Sequence, residues 1–395
     1  RIDGGINVFS GIISGNGGLS IMGGTQTFTG ENTFLGATSV GANSQLRIGD
    51  GGTTGSITGN IGNYGSVVFN RSNSLTYGGV ITGPGTLGVM GGGTLVVTGD
   101  SSFNGGTIIQ DSTLQVGNGG TSGRIGYGNV LLLGESTLAF NRSNDSSFSG
   151  AISGGGSLRQ IGTGTTTLSG NLSGFTGVAT VSAGTLRMES VIGGNLAVDA
   201  GATGEFKLNG GDVSYGGAVT GSGTFAKSGG STLNMTGDIS GFTGLTDVSS
   251  GTLRLATVPG GDMRIMGTGL LNLAADATFG GALTGYGTFG KEGKSTLTIT
   301  GDHSGFIGVT RIYAGALRYE TLPGKNGIDV KSGTGLIFAL PGDATYAGPM
   351  IGGGTIVKTE SSTLTLSGKI GGFTGITGVT DGTLRLESLP GGTIT

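Results

Sequence analysis

One phrase recurs along the second half of this chain of 395 residues: Gly174-Phe175-Thr176-Gly177, Gly241-Phe242-Thr243-Gly244, Gly305-Phe306-Ile307-Gly308 and Gly372-Phe373-Thr374-Gly375. The Phe residues lie 67, 64 and 67 residues apart, and weaker copies at Phe34 and Phe103 extend the series backwards at intervals of 69 and 72. An aromatic column, Phe9, Tyr77, Phe148, Tyr215, Phe279 and Tyr346, keeps the same register. A chain that repeats at a fixed period is built from units that pack on their neighbours. Its length then says little about how many ordinary domains it holds.

Within a copy the local pattern is that of strands. Thr296 to Thr300 alternates polar and apolar residues, which places Leu297 and Ile299 on one face and the threonines on the other. Gly, Asn, Asp and Ser punctuate every few residues, and no useful apolar period of 3.6 residues occurs. Leu253, Leu273, Leu297 and Leu317 read as strand centres 20, 24 and 20 residues apart, which gives three turns per copy. Short strands with tight Gly corners bury a face only by stacking turn on turn. The expected fold is therefore all-β, a right-handed parallel β-helix of roughly 18 turns in six three-turn repeats, on the order of 85 Å long at ~4.8 Å per turn. A β-sandwich or propeller would show different periods and hairpin turns.

Composition agrees with a packed chain. Gly is abundant, at 93 residues, yet 34% of residues are hydrophobic and the net charge is only −3, so there is apolar surface to bury and little self-repulsion. The chain has no Cys, which excludes disulfides and thiolate chemistry. No apolar run is long enough for a membrane-spanning helix. The start, Arg1-Ile2-Asp3, has no Met and does not read as a signal peptide, and the end, Gly391 to Thr395, reads as repeat-like sequence, so residues 1–395 are expected to be a single β-helix fragment of something longer. Phe-Asn-Arg-Ser turns mark the copies in 1–140, and Gly-Phe-Thr-Gly turns those in 141–395.

Candidate chemistry is sparse. Gly99-Asp100-Ser101-Ser102 faintly resembles a serine protease signature, but the same corner reads Gly237-Asp238-Ile239-Ser240 and Gly301-Asp302-His303-Ser304 elsewhere. His303, the only His, is read as a solvated corner residue that cannot serve Ser101, and one His without Cys makes no zinc site. Glu31, Asp100, Asp238 and Asp302 occupy one equivalent corner, read as turn chemistry rather than a pair of catalytic carboxylates. No phosphate loop, calcium repeat or basic stripe for nucleic acid is present, so no catalytic residue, cofactor or metal is expected. One outward column stands out: Arg187, Arg254, Arg318 and Arg385, with Glu189, Glu320 and Glu387 two residues on. It reads either as a solvated charge ladder or as a spaced ligand stripe for an acidic polymer.

Phe140-Asn141-Arg142-Ser143-Asn144, Phe148 to Gly154 and Thr165 to Gly170 together resemble the passenger-associated repeat of classical monomeric autotransporters, and Phe69 to Asn73 with Tyr77 to Gly83 repeats the pattern. The later copies depart from it, with Leu386-Glu387-Ser388-Leu389-Pro390 in place of the Phe-Asn-Arg-Ser run. The resemblance implies a bacterial surface or secreted location, a signal peptide ahead of the passenger and a C-terminal β-barrel anchor behind it, both outside these residues. It leaves three expectations for function. The first is an adhesin or self-association module, whose partners would be host-cell surface, extracellular matrix, glycans or another copy of itself. The second is a stalk for an activity located elsewhere, and the third, less favoured, is a carbohydrate-processing β-helix.

Overall fold

The computed structural model describes residues 1–395 and is built of strands, turns and bends without a helix. It divides into two compact units, Arg1–Gly204 and Glu205–Thr395. In the first unit the chain runs through Ser74–Tyr77, Ile81–Thr82 and Thr86–Met90 before Thr94–Val97 pairs in parallel with the strand where the lap began, Leu95 beside Leu75 and Val97 beside Tyr77. The second unit does the same: after Ala344–Tyr346, Met350–Gly352 and Thr355–Lys358, the strand Thr363–Leu366 returns to Ala344–Tyr346. Each such lap visits three sides. The fold is a parallel β-helix of about 19 turns.

Alternation decides what is inside. In Thr296–Ile299, Leu297 and Ile299 are wholly buried while the threonines are half-buried. Successive laps then stack like on like: Leu297 pairs with Leu317, Leu336 and Ile356 in turn. Beside them run Ile299, Tyr319 and Phe338, the last two rings stacked 6.2 Å apart. Each fully buried Leu of such a ladder contributes about 2 kcal/mol of transfer free energy.

The sequence repeat and the structural lap do not coincide. From Tyr215, in Val213–Tyr215, the same sheet is revisited at Thr232–Met235, Thr252–Leu255 and Thr268–Asn272; then Ala277–Phe279 opens the next sheet. The copy from Phe279 behaves alike, returning at Thr296–Ile299, Ala316–Tyr319 and Gly335–Phe338 before Ala344–Tyr346 opens another. In the first unit, Tyr77 and Phe148 likewise begin separate sheets. A copy is therefore three laps plus one side, not the three laps expected from leucine spacing. The error is visible in the register, which pairs Leu253 with Gly269 rather than with Leu273. The extra side per copy also explains a total slightly above 18.

Three lysines point inward. Lys227, Lys291 and Lys358 have no exposed surface, and each stands two residues after an inward apolar side chain: Phe225, Phe289 and Ile356. Their stems lie in the core and their ammonium groups donate to the carbonyls of the turn that follows, Lys227 to Ser228 at 2.8 Å and Gly229 at 3.0 Å, Lys291 to Gly293 at 2.9 Å, Lys358 to Glu360 at 2.8 Å. Burial holds the Lys227 and Lys291 ammonium groups below the usual lysine range. In the copy before, Gln160 fills this position and bonds the carbonyls of Gly162 and Gly164 at 2.7 and 3.1 Å. Lys227→Met, which orphans those carbonyls, is expected to cost about 3 kcal/mol, and Lys227→Gln less than half of that; urea unfolding of the two variants measures both.

Candidate functional site

The corner carboxylates are engaged by their own turns. Asp238 accepts the Ser240 N–H and Asp302 the Ser304 N–H, each at 2.8 Å, and these bonds hold both carboxyls below the usual range. Asn171 accepts from Ser173 in the same way at 3.0 Å. Ser101 is buried and its hydroxyl accepts the Ile81 N–H at 3.0 Å.

His303 corrects the sequence reading. It is 2% exposed rather than solvated, packed among Phe279, Phe289 and Tyr319, and neither ring nitrogen has a hydrogen-bond partner. In the aligned copies its place is taken by Ile239 and Ile370, both buried. Asp302 turns outward at the corner, so the next residue must turn inward. Burial pushes the imidazole pKa down to about 4.

The four arginines occupy the outer face, each as the third rung of a newly opened sheet. In the second unit the rungs are Ser214–Asn234–Arg254, Thr278–Thr298–Arg318 and Thr345–Thr365–Arg385. In the first unit Ser147–Thr167–Arg187 has the same form. An aspartate flanks every triplet: Asp212, Asp276, Asp343 and Asp145 accept the N–H of Thr232, Thr296, Thr363 and Thr165. Because each copy ends one side further on, Arg254, Arg318 and Arg385 stand in three different sheets and form no single stripe. Arg254 pairs with Glu292 at 2.8 Å, and Arg318 with Glu320 at 3.0 Å and Glu360 at 3.4 Å. Such half-exposed pairs are worth at most about 1 kcal/mol and yield readily to a competing anion.

The Phe-Asn-Arg-Ser runs of the first unit have a role that motif reading missed. Arg71 and Arg142 each reach back into the Gly-rich loop of an earlier lap. Arg142 donates to the carbonyls of Gly123 (2.8 Å) and Thr121 and to Asn144 Oδ1 (3.1 Å); Arg71 donates to those of Gly55 and Thr53 and to Asn73 Oδ1 (3.0 Å). These guanidinium groups are loop clamps. Beside the second clamp opens a cleft of about 250 Å³, with Val116, Ile125, Phe140 and Phe148 as an apolar floor and Arg124 and Tyr127 at the rim.

The family model of the passenger-associated-transport-repeat matches six segments, residues 23–42, 90–116, 158–188, 225–255, 289–318 and 356–386. These are the repeats of an autotransporter passenger. Each matched segment from 158 onward spans the inward Gln or Lys, the corner, the Gly-Phe phrase or its equivalent, and the outward Arg. The passenger is also 32% identical over 187 residues to the adhesin BmaC autotransporter of Brucella suis biovar 1, a match that covers 47% of this chain and 4% of that protein. The chain thus spans a small fraction of that relative's length. No solved structure matches. Display at the cell surface, or release, by way of the outer membrane goes with a passenger of this kind.

Proposed function

We propose that this passenger segment is adhesive, holding glycans or another acidic polymer through many weak polar contacts. The observation that supports the reading is the recurring triplet of two hydroxyl or amide side chains and an arginine on adjacent rungs, flanked each time by an aspartate and carried onto a new side by each copy. Single contacts of this kind bind weakly, but several engaged together on one polymer multiply. The name of the Brucella relative points the same way.

The test is the chain with Arg187, Arg254, Arg318 and Arg385 all changed to Gln, displayed on bacteria and applied to sulfated glycans and host cells. Binding is expected to fall about a hundredfold, the scale of lost avidity, and wild-type binding is expected to weaken as salt rises. Unchanged binding by the fourfold variant removes the arginines from the account. The small share of the relative that this chain covers favours a second reading, a spacer that carries an activity located elsewhere. A displayed segment that neither settles cells nor attaches to any surface would establish it.

A further inference from the structure

The cleft beside the second loop clamp departs from the repeat in three ways at one place. Glu31 bridges Ser56 in the earlier copy, whereas Asp100 bridges Arg124 in the later one, so an arginine stands where its sister has serine. Asn60 and Asn129 are equivalent, their side-chain oxygens accepting from Val80 and Ala151 respectively. Two residues separate Ile57 from Asn60, but Gly126, Tyr127 and Gly128 separate Ile125 from Asn129. The added residue brings an outward Tyr127, half exposed. Finally, Tyr77 of the earlier copy donates its hydroxyl to the Gly59 carbonyl at 2.8 Å, and Phe148 in its place has no hydroxyl to do so. None of these changes is needed for lap stacking, which the sister copy achieves without them.

Together they make a site. Every guanidinium nitrogen of Arg142 donates within the clamp, but Arg124 commits only its Nε, to the Ser101 carbonyl at 3.1 Å, and its guanidinium lies 5.2 Å from the centre of the Tyr127 ring. Its two terminal NH₂ groups have no protein partner, and they suit a carboxylate taken side-on. Below them the apolar floor suits a methyl group, and around them Ser147 and Ser149 offer exposed hydroxyls. The volume holds one sugar ring rather than a larger ligand, since drug-sized pockets begin at about 300 Å³. The strand that carries Phe140 is paired with the laps on both sides, while Ser146–Phe148 opens its sheet and pairs only with Thr165–Leu168; the uncommitted guanidinium, the apolar floor and the volume favour a sugar.

We propose that this cleft binds the terminal residue of an acidic, N-acetylated glycan, its carboxylate on Arg124, its acetamido methyl on the Phe140–Phe148 floor and its ring against Tyr127. This deepens the adhesive reading above and rests on it for its biological setting. The test is titration of the whole chain with N-acetylneuraminic acid, alongside glucuronic acid (carboxylate without acetamido) and N-acetylglucosamine (acetamido without carboxylate). N-Acetylneuraminic acid is expected to bind, and each half-ligand about tenfold more weakly or worse. Arg124→Ser, which restores the residue of the sister copy, is expected to weaken N-acetylneuraminic acid about tenfold or more while leaving thermal unfolding unchanged. No binding of N-acetylneuraminic acid, equal binding of N-acetylglucosamine, or full binding by Arg124→Ser overturns the site. If the sugar does not bind while displayed cells still adhere, the site falls and the adhesive reading stands. If the sugar binds but displayed cells do not adhere, the reverse holds.

Discussion

Gly244→Ala is expected to destabilise the second unit by about 3 kcal/mol or more, whereas Gly241→Ala, three residues earlier in the same phrase, is expected to change stability by less than about 0.5 kcal/mol. A Cβ built on Gly244 would sit 2.0 Å from the carbonyl oxygen of Gly223 on the lap before; one on Gly241 meets nothing within 4 Å. The clash is with backbone, and lap spacing is fixed by the hydrogen bonds of every neighbouring strand at ~4.8 Å, so the structure has no soft way to yield. The contact recurs in every copy of the phrase. The last glycine of each would meet a carbonyl oxygen at 1.7 Å for Gly177, 2.0 Å for Gly308 and 1.8 Å for Gly375. Urea unfolding followed by circular dichroism, with Gly241→Ala as the control, checks the difference. Because repeat arrays unfold in parts, the shift should be read from the transition that includes residues near 223 and 244.

His303→Ile is expected to raise stability and to remove a large part of its acid dependence. The folded-state pKa lies near 4, below the value of about 6.5 for an unfolded histidine. The neutral form is favoured in the folded chain. Its full contribution is present above pH 6.5, declines as pH falls through the window between 6.5 and 4, and is gone below it. Over that window the wild type is expected to lose roughly 3 kcal/mol that the variant retains. Asp302, Asp238 and Asp212, each held below the usual carboxylate range by turn hydrogen bonds, add acid sensitivity at lower pH, but both proteins share it. At pH 7 the variant also relieves two buried nitrogens without partners, which adds about 1–3 kcal/mol in its favour. Ile239 and Ile370 show that the site accepts isoleucine. Unfolding midpoints of both proteins between pH 7 and 4 provide the measurement, and parallel curves would show that His303 is not the group responsible.

The strands, their inward and outward parity and the parallel stacking were legible in the sequence because alternation is local. Leu297 and Ile299 could be assigned from five residues. The lap length was not, because repeated phrases report the distance between copies and nothing in them marks where a lap closes. Leu253 and Leu273 have a plausible spacing, yet the three-sided lap passes Leu253 to Gly269. From that one misreading followed the single arginine stripe. His303 and the three lysines are a different case. Alignment of His303 with Ile239 carried the signal, but an imidazole reads as solvated by type; the lysines, two residues after Phe225, Phe289 and Ile356, share the parity of those inward side chains, yet no motif singles them out. The cleft depends on a one-residue difference between copies, which gains meaning only when the hydrogen bonds of Asn60 and Asn129 show which residue was added.

The offset of one side per copy has a genetic consequence. Recombination between copies adds or removes whole units, and since each unit begins a fresh sheet, such an event leaves strand pairing intact. What changes is direction: everything downstream swings by a third of a revolution, and three such events are needed to bring it home. Copy number in this kind of gene thus sets which way the downstream faces point as well as how far along they lie.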